Sequence, residues 1–249
     1  SHYGSVYFHE EGTDVTDAQD RYLDAFADAT TRLLETHDVL PCLFGSEQLD
    51  RFAAEALSEK LVERLQGTPA WEKLPEAVRE NGFPVIVSDD HDMYAMVSAM
   101  RQSTFMVSSR YHACVMTMAG GVISAGVTMD ERIQNLMIDR GTPGLALQTD
   151  DPELAQHLYE VLVRLTSERD VIRAGIDDCV YQNLERMGGM GMILVDYVRR
   201  HHPEFPFRPE LGETRADGTA GDPWDHLPSL APAVVALVER VRASADALG

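Results

Sequence analysis

Arg110, His112 and Arg132 are the side chains whose types and spacing best suit chemistry on a small anion. Arg110 and His112 stand two positions apart, directly after an apolar run and at the predicted start of a helix. A helix begins with unpaired N–H groups and the positive end of its dipole, so this position favours a phosphate or a carboxylate. The first prediction is therefore an anion-binding turn at residues 110–112.

The flanking pattern indicates which elements position these residues. Residues 104–108 form a short apolar run typical of a strand, and apolar residues then recur at helical spacing until Gly120. Residues 122–125 predict the next parallel strand, and residues 128–133 form the turn that follows it. Because the loops after neighbouring parallel strands meet at one edge of a sheet, we expect Arg132 to face Arg110 and His112.

Strand and helix patterns alternate along most of the chain. Further strands are predicted at residues 6–9, 39–44, 83–88 and 145–148. Helices of ten or more residues between such strands favour a parallel sheet with helices on both faces. The sequence therefore predicts an α/β fold with one Rossmann-like domain over residues 1–165.

Residues 166–249 are predicted to form a helical C-terminal extension. A helical pattern runs from about residue 168 to 197, and we predict an interruption at the MGGMGM run of residues 187–192. Residues 201–228 are rich in Pro and Gly and predict a linker. Residues 230–245 predict a final amphipathic helix, which needs this domain or a partner chain to pack against.

Composition excludes several classes of partner. The formal net charge is -20 and the isoelectric point is near 4.7, whereas nucleic acids and anionic membranes require a basic surface. No run is long enough to span a membrane and no signal peptide is evident, so we expect a soluble, cytoplasmic protein. Three widely spaced cysteines suggest neither a disulfide framework nor a zinc site.

Three weaker patterns have a structural and a functional interpretation. Ser46 follows Gly45 at a predicted strand-to-helix turn, where it could bind a phosphate or sugar hydroxyl or simply cap the helix. Asp89, Asp90, His91 and Asp92 form a cluster that could bind a divalent cation, but capping of the next helix by the aspartates is the favoured interpretation. The glycines at 188–191 follow helical sequence and not a strand, so a phosphate loop is not favoured. The sequence predicts no metal site.

The motif region resembles the polysaccharide pyruvyl transferase family. The run SSRYHA, a small-residue helix ending in Gly-Gly-Val, a strand and then TMDERI match the family pattern of R-[LFY]-H-A, helix, G-V-P, strand and Y-D-x-K. The resemblance extends over residues 6–141 and is strongest over residues 105–141. It implies one half of a GT-B-like architecture, with an N-terminal domain or a partner chain completing the cleft.

The resemblance also implies an activity and roles for individual residues. The reaction is transfer of a pyruvyl group from phosphoenolpyruvate to two hydroxyls of a sugar or polyol, giving a ketal, with no cofactor besides this co-substrate. Position by position, Arg110 corresponds to the anion clamp and His112 to the proton-transferring group, while Tyr111 contributes its backbone N–H. Arg132 stands where the family usually has Lys and is expected to bind phosphate or acceptor.

The chain departs from the family pattern at further places, one of which is Met129, where the family commonly has an aromatic residue. Where the family often has an Arg after its first strand, this chain has His9, which could replace that cation, followed by Glu10 and Glu11. Residues 125–126 are Ala-Gly where an apolar strand end is expected. The alternatives to a pyruvyl transferase are a GT-B-type glycosyltransferase domain that uses a nucleotide sugar, and a catalytically silent member that binds a glycan or a partner protein.

Overall fold

A computed structural model of the chain describes residues 15–205 apart from residue 47, and within them parallel strands alternate with helices. The strands are β1 (Leu43–Gly45), β2 (Val85–Val87), β3 (Phe105–Ser108), β4 (Ile123–Val127) and β5 (Ala146–Leu147). The α-helices are α1 (Val15–Thr36), α2 (Gln48–Leu65), α3 (Pro69–Lys73), α4 (Glu76–Asn81), α5 (Met93–Met100), α6 (Tyr111–Met118), α7 (Glu131–Asp139), α8 (Leu154–Ser167) and α9 (Arg169–His201). A 3₁₀ turn, Pro143–Leu145, precedes β5.

The strands form two hydrogen-bonded groups in which every pair is parallel. β1 pairs with β2, and β4 lies between β3 and β5. Every crossover between paired strands contains at least one helix, as parallel pairing requires. The predicted Rossmann-like α/β fold, with parallel strands flanked by helices, is therefore confirmed.

The main core surrounds β4. All five of its residues are buried, so helices cover both of its faces, as expected for a central parallel strand. Helix α9 begins in this same core, where Ile172 and Ile176 are almost fully buried with Ile123. The first turns of α9 therefore pack against the α/β body, although the predicted domain boundary at residue 165 lies before them.

A close contact between β4 and α7 explains the unexpected Ala-Gly end of β4. A Cβ atom built on Gly126 would lie 2.2 Å from the Ile133 Cγ2 atom, which is fully buried. Real Cβ atoms essentially never come so close, so a larger residue at position 126 would push α7 away from the sheet. Glycine at this strand position thus allows the close approach of the helix.

Helix α9 does not break at the glycine-rich run, so the predicted interruption at residues 187–192 is wrong. The helix is continuous over Arg169–His201. A Cβ atom at Gly188, Gly189 or Gly191 would meet no atom of residues 15–205 within 4 Å, so no packing contact with this part of the chain requires these glycines. Glycine inside a helix costs about 1 kcal/mol relative to alanine, which a helix can tolerate, and the Met and Leu residues around these glycines are good helix formers.

Several predictions lie outside the described residues. They are the strand at residues 6–9 with His9, most of the linker at residues 201–228, and the amphipathic helix at residues 230–245. Within residues 15–205, no helix is both long and apolar enough to cross a lipid bilayer.

Candidate functional site

The register of β3 against β4 brings the two predicted loops together. Ser108, the last residue of β3, lies opposite Gly126 near the end of β4. The loop that carries Arg110 and the loop that carries Arg132 therefore leave the same edge of the sheet. This edge is formed by the carboxyl ends of the strands, where open α/β sheets bind ligands.

Arg110 occupies the junction between β3 and α6. Its backbone is extended and it is the N-cap of α6, but it makes no side-chain cap. The Arg110 N–H donates to the Ser108 hydroxyl at 3.0 Å, which holds the turn in place. An arginine side chain has no acceptor for the N–H groups at the start of a helix, and that of Arg110 extends instead to Asp50.

Asp50 is the principal residue that the sequence predictions missed. The Arg110 Nη2 atom donates to the Asp50 Oδ1 atom at 2.6 Å, and the two side chains are 21% and 18% exposed. Asp50 lies in the first turn of α2, after β1, so this ion pair ties the β1–β2 group to the β3–β4–β5 group. An acidic residue in the first turn of a helix that follows a predicted strand was the available signal, but nothing local identifies a partner 60 residues away.

Ser46 belongs to the same network. Its backbone N–H donates to the Asp50 Oδ2 atom at 3.0 Å, and its hydroxyl lies 3.5 Å from the same oxygen. In this structure, the N–H group predicted to bind a phosphate or a sugar is therefore bonded to a carboxylate. The substrate-binding role of Ser46 stays a prediction.

Tyr111 connects the two cationic loops. The Arg132 guanidinium carbon lies 5.3 Å from the centroid of the Tyr111 ring, within the range of a cation–π contact. The Tyr111 and His112 rings meet edge to face with centroids 5.7 Å apart. Tyr111 is half-buried and His112 is exposed, so the imidazole is accessible to solvent at the start of α6.

Arg132 is held by the residue that caps its own helix. Asp130 is the N-cap of α7 and accepts from the Arg132 backbone N–H at 2.9 Å. The same carboxylate accepts from Arg132 Nε at 3.0 Å and from Nη2 at 2.6 Å. The Arg132 side chain is 60% exposed, so a ligand can approach the guanidinium from solvent.

Among the described residues, each guanidinium of this edge lies beside a carboxylate. Arg110 is beside Asp50, and Arg132 is beside Asp130. The hydrogen bond from Arg132 is the main reason that the pKa of Asp130 lies below its usual value, and the nearby His112 contributes to the shift. Burial lowers the pKa of Arg110, but a guanidinium remains protonated at any physiological pH.

The three aspartates of residues 89–92 make structural contacts. Asp92 is the N-cap of α5 and accepts from the Ala95 N–H at 2.8 Å, which confirms the capping interpretation for this residue. Asp89 and Asp90 form ion pairs with Arg51. Among the described residues, no three His, Cys, Asp or Glu side chains are grouped so that they could hold a metal ion.

The structure therefore brings together Arg110, Tyr111, His112 and Arg132 at one edge and adds Asp50 and Asp130. His9 lies outside the described residues. Comparisons of the chain with protein-family models, with curated proteins and with solved structures find no match. The resemblance to pyruvyl transferases stays a prediction based on the motifs.

Proposed function

We propose that this domain binds phosphoenolpyruvate at the edge defined by Arg110, His112 and Arg132 and transfers its pyruvyl group to a sugar or polyol. The main support is that two guanidinium groups and an exposed imidazole lie at adjacent strand-to-helix junctions, at the carboxyl ends of β3 and β4. A donor with a carboxylate and a phosphate needs two separate cationic contacts, and this edge offers two.

Each guanidinium already contacts a carboxylate that a bound donor would replace. Arg132 is the more accessible group, because its side chain is 60% exposed while that of Arg110 is 21% exposed. In the proposed complex, a donor anion takes the place of Asp130 at Arg132, and Asp130 keeps its contact with the backbone N–H that it caps. A second anionic group takes the place of Asp50 at Arg110.

The proposed chemistry assigns one proton transfer to His112. Protonated His112 adds a proton to the methylene carbon of the donor, and an acceptor hydroxyl attacks the neighbouring carbon. Loss of inorganic phosphate and attack by a second hydroxyl then complete the ketal. Of the two hydroxyl protons, one restores the proton on His112 and the other is taken up by the phosphate that leaves. His112 suits this role because an imidazole changes charge near neutral pH and lies at the solvent side of the edge.

Thermal unfolding with and without ligand tests the proposal. At a hundredfold excess over the dissociation constant, phosphoenolpyruvate should stabilise the fold by about 2.7 kcal/mol and raise the Tm by roughly 5–10 °C. Arg110→Gln should abolish this shift, whereas Arg79→Gln, which removes an exposed ion pair on α4, should keep it. A shift with UDP-glucose but not with phosphoenolpyruvate would support a nucleotide-sugar enzyme instead.

A variant of His112 distinguishes ligand binding from the proposed catalytic step. His112→Gln should retain the thermal shift, because the two guanidinium groups remain. It should reduce phosphate release in the presence of a sugar acceptor by about 10²–10⁴-fold. Equal phosphate release by wild-type and variant protein would remove His112 from the mechanism.

The carboxylates beside the two guanidinium groups favour a second candidate, a catalytically silent domain. Asp50 and Asp130 already neutralise the two guanidinium groups, so both ion pairs could serve only to hold the loops together. A silent domain shows no thermal shift with phosphoenolpyruvate, even in an Asp130→Asn variant, in which Asn still caps α7 but no longer competes for Arg132.

A further inference from the structure

The distal part of helix α9, residues 184–201, lies apart from the core. The buried residues of α9 are Ile172, Ile176 and Cys179, all near its start. Between residues 184 and 201, by contrast, no side chain is buried by the described part of the chain. Large apolar side chains there are mostly exposed: Met187 (67%), Met190 (69%), Leu194 (62%) and Tyr197 (56%). A single helix that contains several glycines is marginal in water, so such a segment is expected to pack against a partner.

The apolar residues of this segment recur with the spacing of a coiled coil. Alternating steps of three and four residues connect positions 184, 187, 191, 194 and 198. This heptad spacing keeps one face of a helix in contact with a second helix over several turns. We call this face the α9 seam; it consists of Leu184, Met187, Gly191, Leu194 and Val198, with Met190 and Tyr197 beside it. The spacing therefore predicts that the partner is a helix.

We propose that the α9 seam binds the α9 seam of a second copy of this chain, with the two helices antiparallel. A two-fold axis at Gly189 places Leu184 opposite Leu194 of the second copy, and Met187 opposite Gly191 of the second copy. The symmetry repeats both contacts, so a single patch is complementary to itself. A Cβ atom at Gly191 would meet no atom of residues 15–205 within 4 Å, which leaves room for the facing methionine.

The area of this contact is sufficient for a stable pair. Six large side chains lie on the seam or beside it, namely Leu184, Met187, Met190, Leu194, Tyr197 and Val198. Each can lose roughly 100 Å² of accessible surface to a facing helix. Two copies then bury about 1200 Å² in total, more than the roughly 1000 Å² that a specific interface requires.

The charges of α9 favour the antiparallel direction. Asp177 and Asp178 precede the seam, and Arg199, Arg200 and His201 end it. In an antiparallel pair the acidic end of each helix lies near the basic end of the other, whereas a parallel pair places two basic ends together. The antiparallel direction also opposes the two helix dipoles.

The net charge of the chain is compatible with pairing at this segment. Although the whole chain has a formal charge of -20, residues 184–201 contain two carboxylates and three guanidinium groups. Two copies that meet along this segment therefore keep their acidic surfaces apart, where solvent and salt screen the repulsion. None of the contacts involves the candidate site, so the inference does not depend on the proposed function.

Sedimentation velocity of the full chain tests the contact. With a dissociation constant of about 10 µM or below, wild-type protein should reach twice the chain mass of 27.6 kDa as its concentration rises to about 100 µM. Leu194→Glu places a charge in the seam and should weaken dimerisation at least about 100-fold. Met192→Glu changes a similarly exposed residue on the other side of the helix and should dimerise like the wild-type protein. A wild-type chain that remains monomeric at about 100 µM, or dimerisation that Leu194→Glu leaves unchanged, overturns the inference.

Disulfide cross-linking then tests the direction of the helices. After oxidation, a mixture of Leu184→Cys and Leu194→Cys proteins should give at least about tenfold more mixed disulfide than either same-variant disulfide, because a disulfide needs Cα atoms within about 7 Å. Cleavage by trypsin after Arg186 places the two positions in different peptides, so mass spectrometry distinguishes the products. Same-variant disulfides in excess of the mixed product indicate parallel helices and overturn the antiparallel arrangement.

Discussion

The ion pair between Arg110 and Asp50 should couple the two groups of strands, and a double-mutant cycle measures this coupling. Asp50→Asn keeps the size of the side chain and an oxygen that can accept from the Ser46 N–H while removing the charge. Arg110→Met keeps an apolar stem of similar length. The two single variants and the double variant therefore isolate the charged contact with little change in packing.

The burial of the pair sets the expected magnitude. The side chains are 21% and 18% exposed and the donor and acceptor atoms lie 2.6 Å apart. A hydrogen bond between charged groups contributes about 1.5–3 kcal/mol when it is buried, and partial screening by solvent places this pair near 2 kcal/mol. Each single variant should therefore lower the free energy of unfolding by about 2–3 kcal/mol, because it leaves one charge without its partner.

Urea unfolding at 25 °C in 150 mM salt gives the free energies of unfolding of the wild-type protein, the two single variants and the double variant. The coupling energy should be about 2 kcal/mol, and each single variant should have a Tm lower by roughly 4–12 °C. The matched control is the cycle of Arg79 and Glu72, an exposed pair at 3.5 Å, for which about 0.2–1 kcal/mol is expected. A coupling of Arg110 and Asp50 no larger than that of the control would refute the conclusion that this pair joins the two groups.

Two further predictions concern the packing of α9 and the charge of the edge. Gly175→Ala should destabilise the protein by about 1–3 kcal/mol, because its Cβ would lie 2.4 Å from the Arg140 carbonyl oxygen. The Cβ of Gly188→Ala would meet no atom of the part of the chain that the structure describes, so this variant should stabilise the protein by up to about 1 kcal/mol. Equal effects of the two variants in urea unfolding would contradict this packing. Arg132→Gln should raise the pKa of Asp130 in a carbon-13 NMR titration, because it removes the hydrogen bond that lowers this pKa. Because the pKa of Asp130 is lower in the folded than in the unfolded state, ionised Asp130 stabilises the fold above about pH 4, and this stabilisation is lost as the pH falls through the folded pKa. The free energy of unfolding of Arg132→Gln should therefore decrease less on acidification than that of the wild-type protein.

Local patterns allowed much of the fold to be predicted. Apolar runs of strand length, helical periodicity and stop signals such as Gly120-Gly121 are encoded within a few residues, so most predicted strands and helices agree with the structure to within a few positions. The capping role of Asp92 is equally local, because it depends on the N–H groups of the next turn. The shared edge of Arg110 and Arg132 follows from two successive strand-to-helix turns in a parallel sheet.

Other features depend on residues far apart in the chain. Asp50 appeared to be an ordinary acidic residue of a helix, and its contact with Arg110 exists only because β1 and β3 carry their following loops to the same region. Gly126 departed from a strand pattern because Ile133 packs against the backbone there. The glycine-rich run in α9 predicted a break, yet the helix continues through it.

By itself, the sequence determined the alternation of elements and the placement of Arg110, His112 and Arg132 at strand-to-helix turns, because periodicity and turn chemistry act over a few residues. Only the tertiary structure decided that each guanidinium has a carboxylate beside it and that the edges of β1 and β3 face a common cavity. The physical reason is that ion pairs and strand neighbours depend on distances in space. Those distances are set by how the whole chain packs.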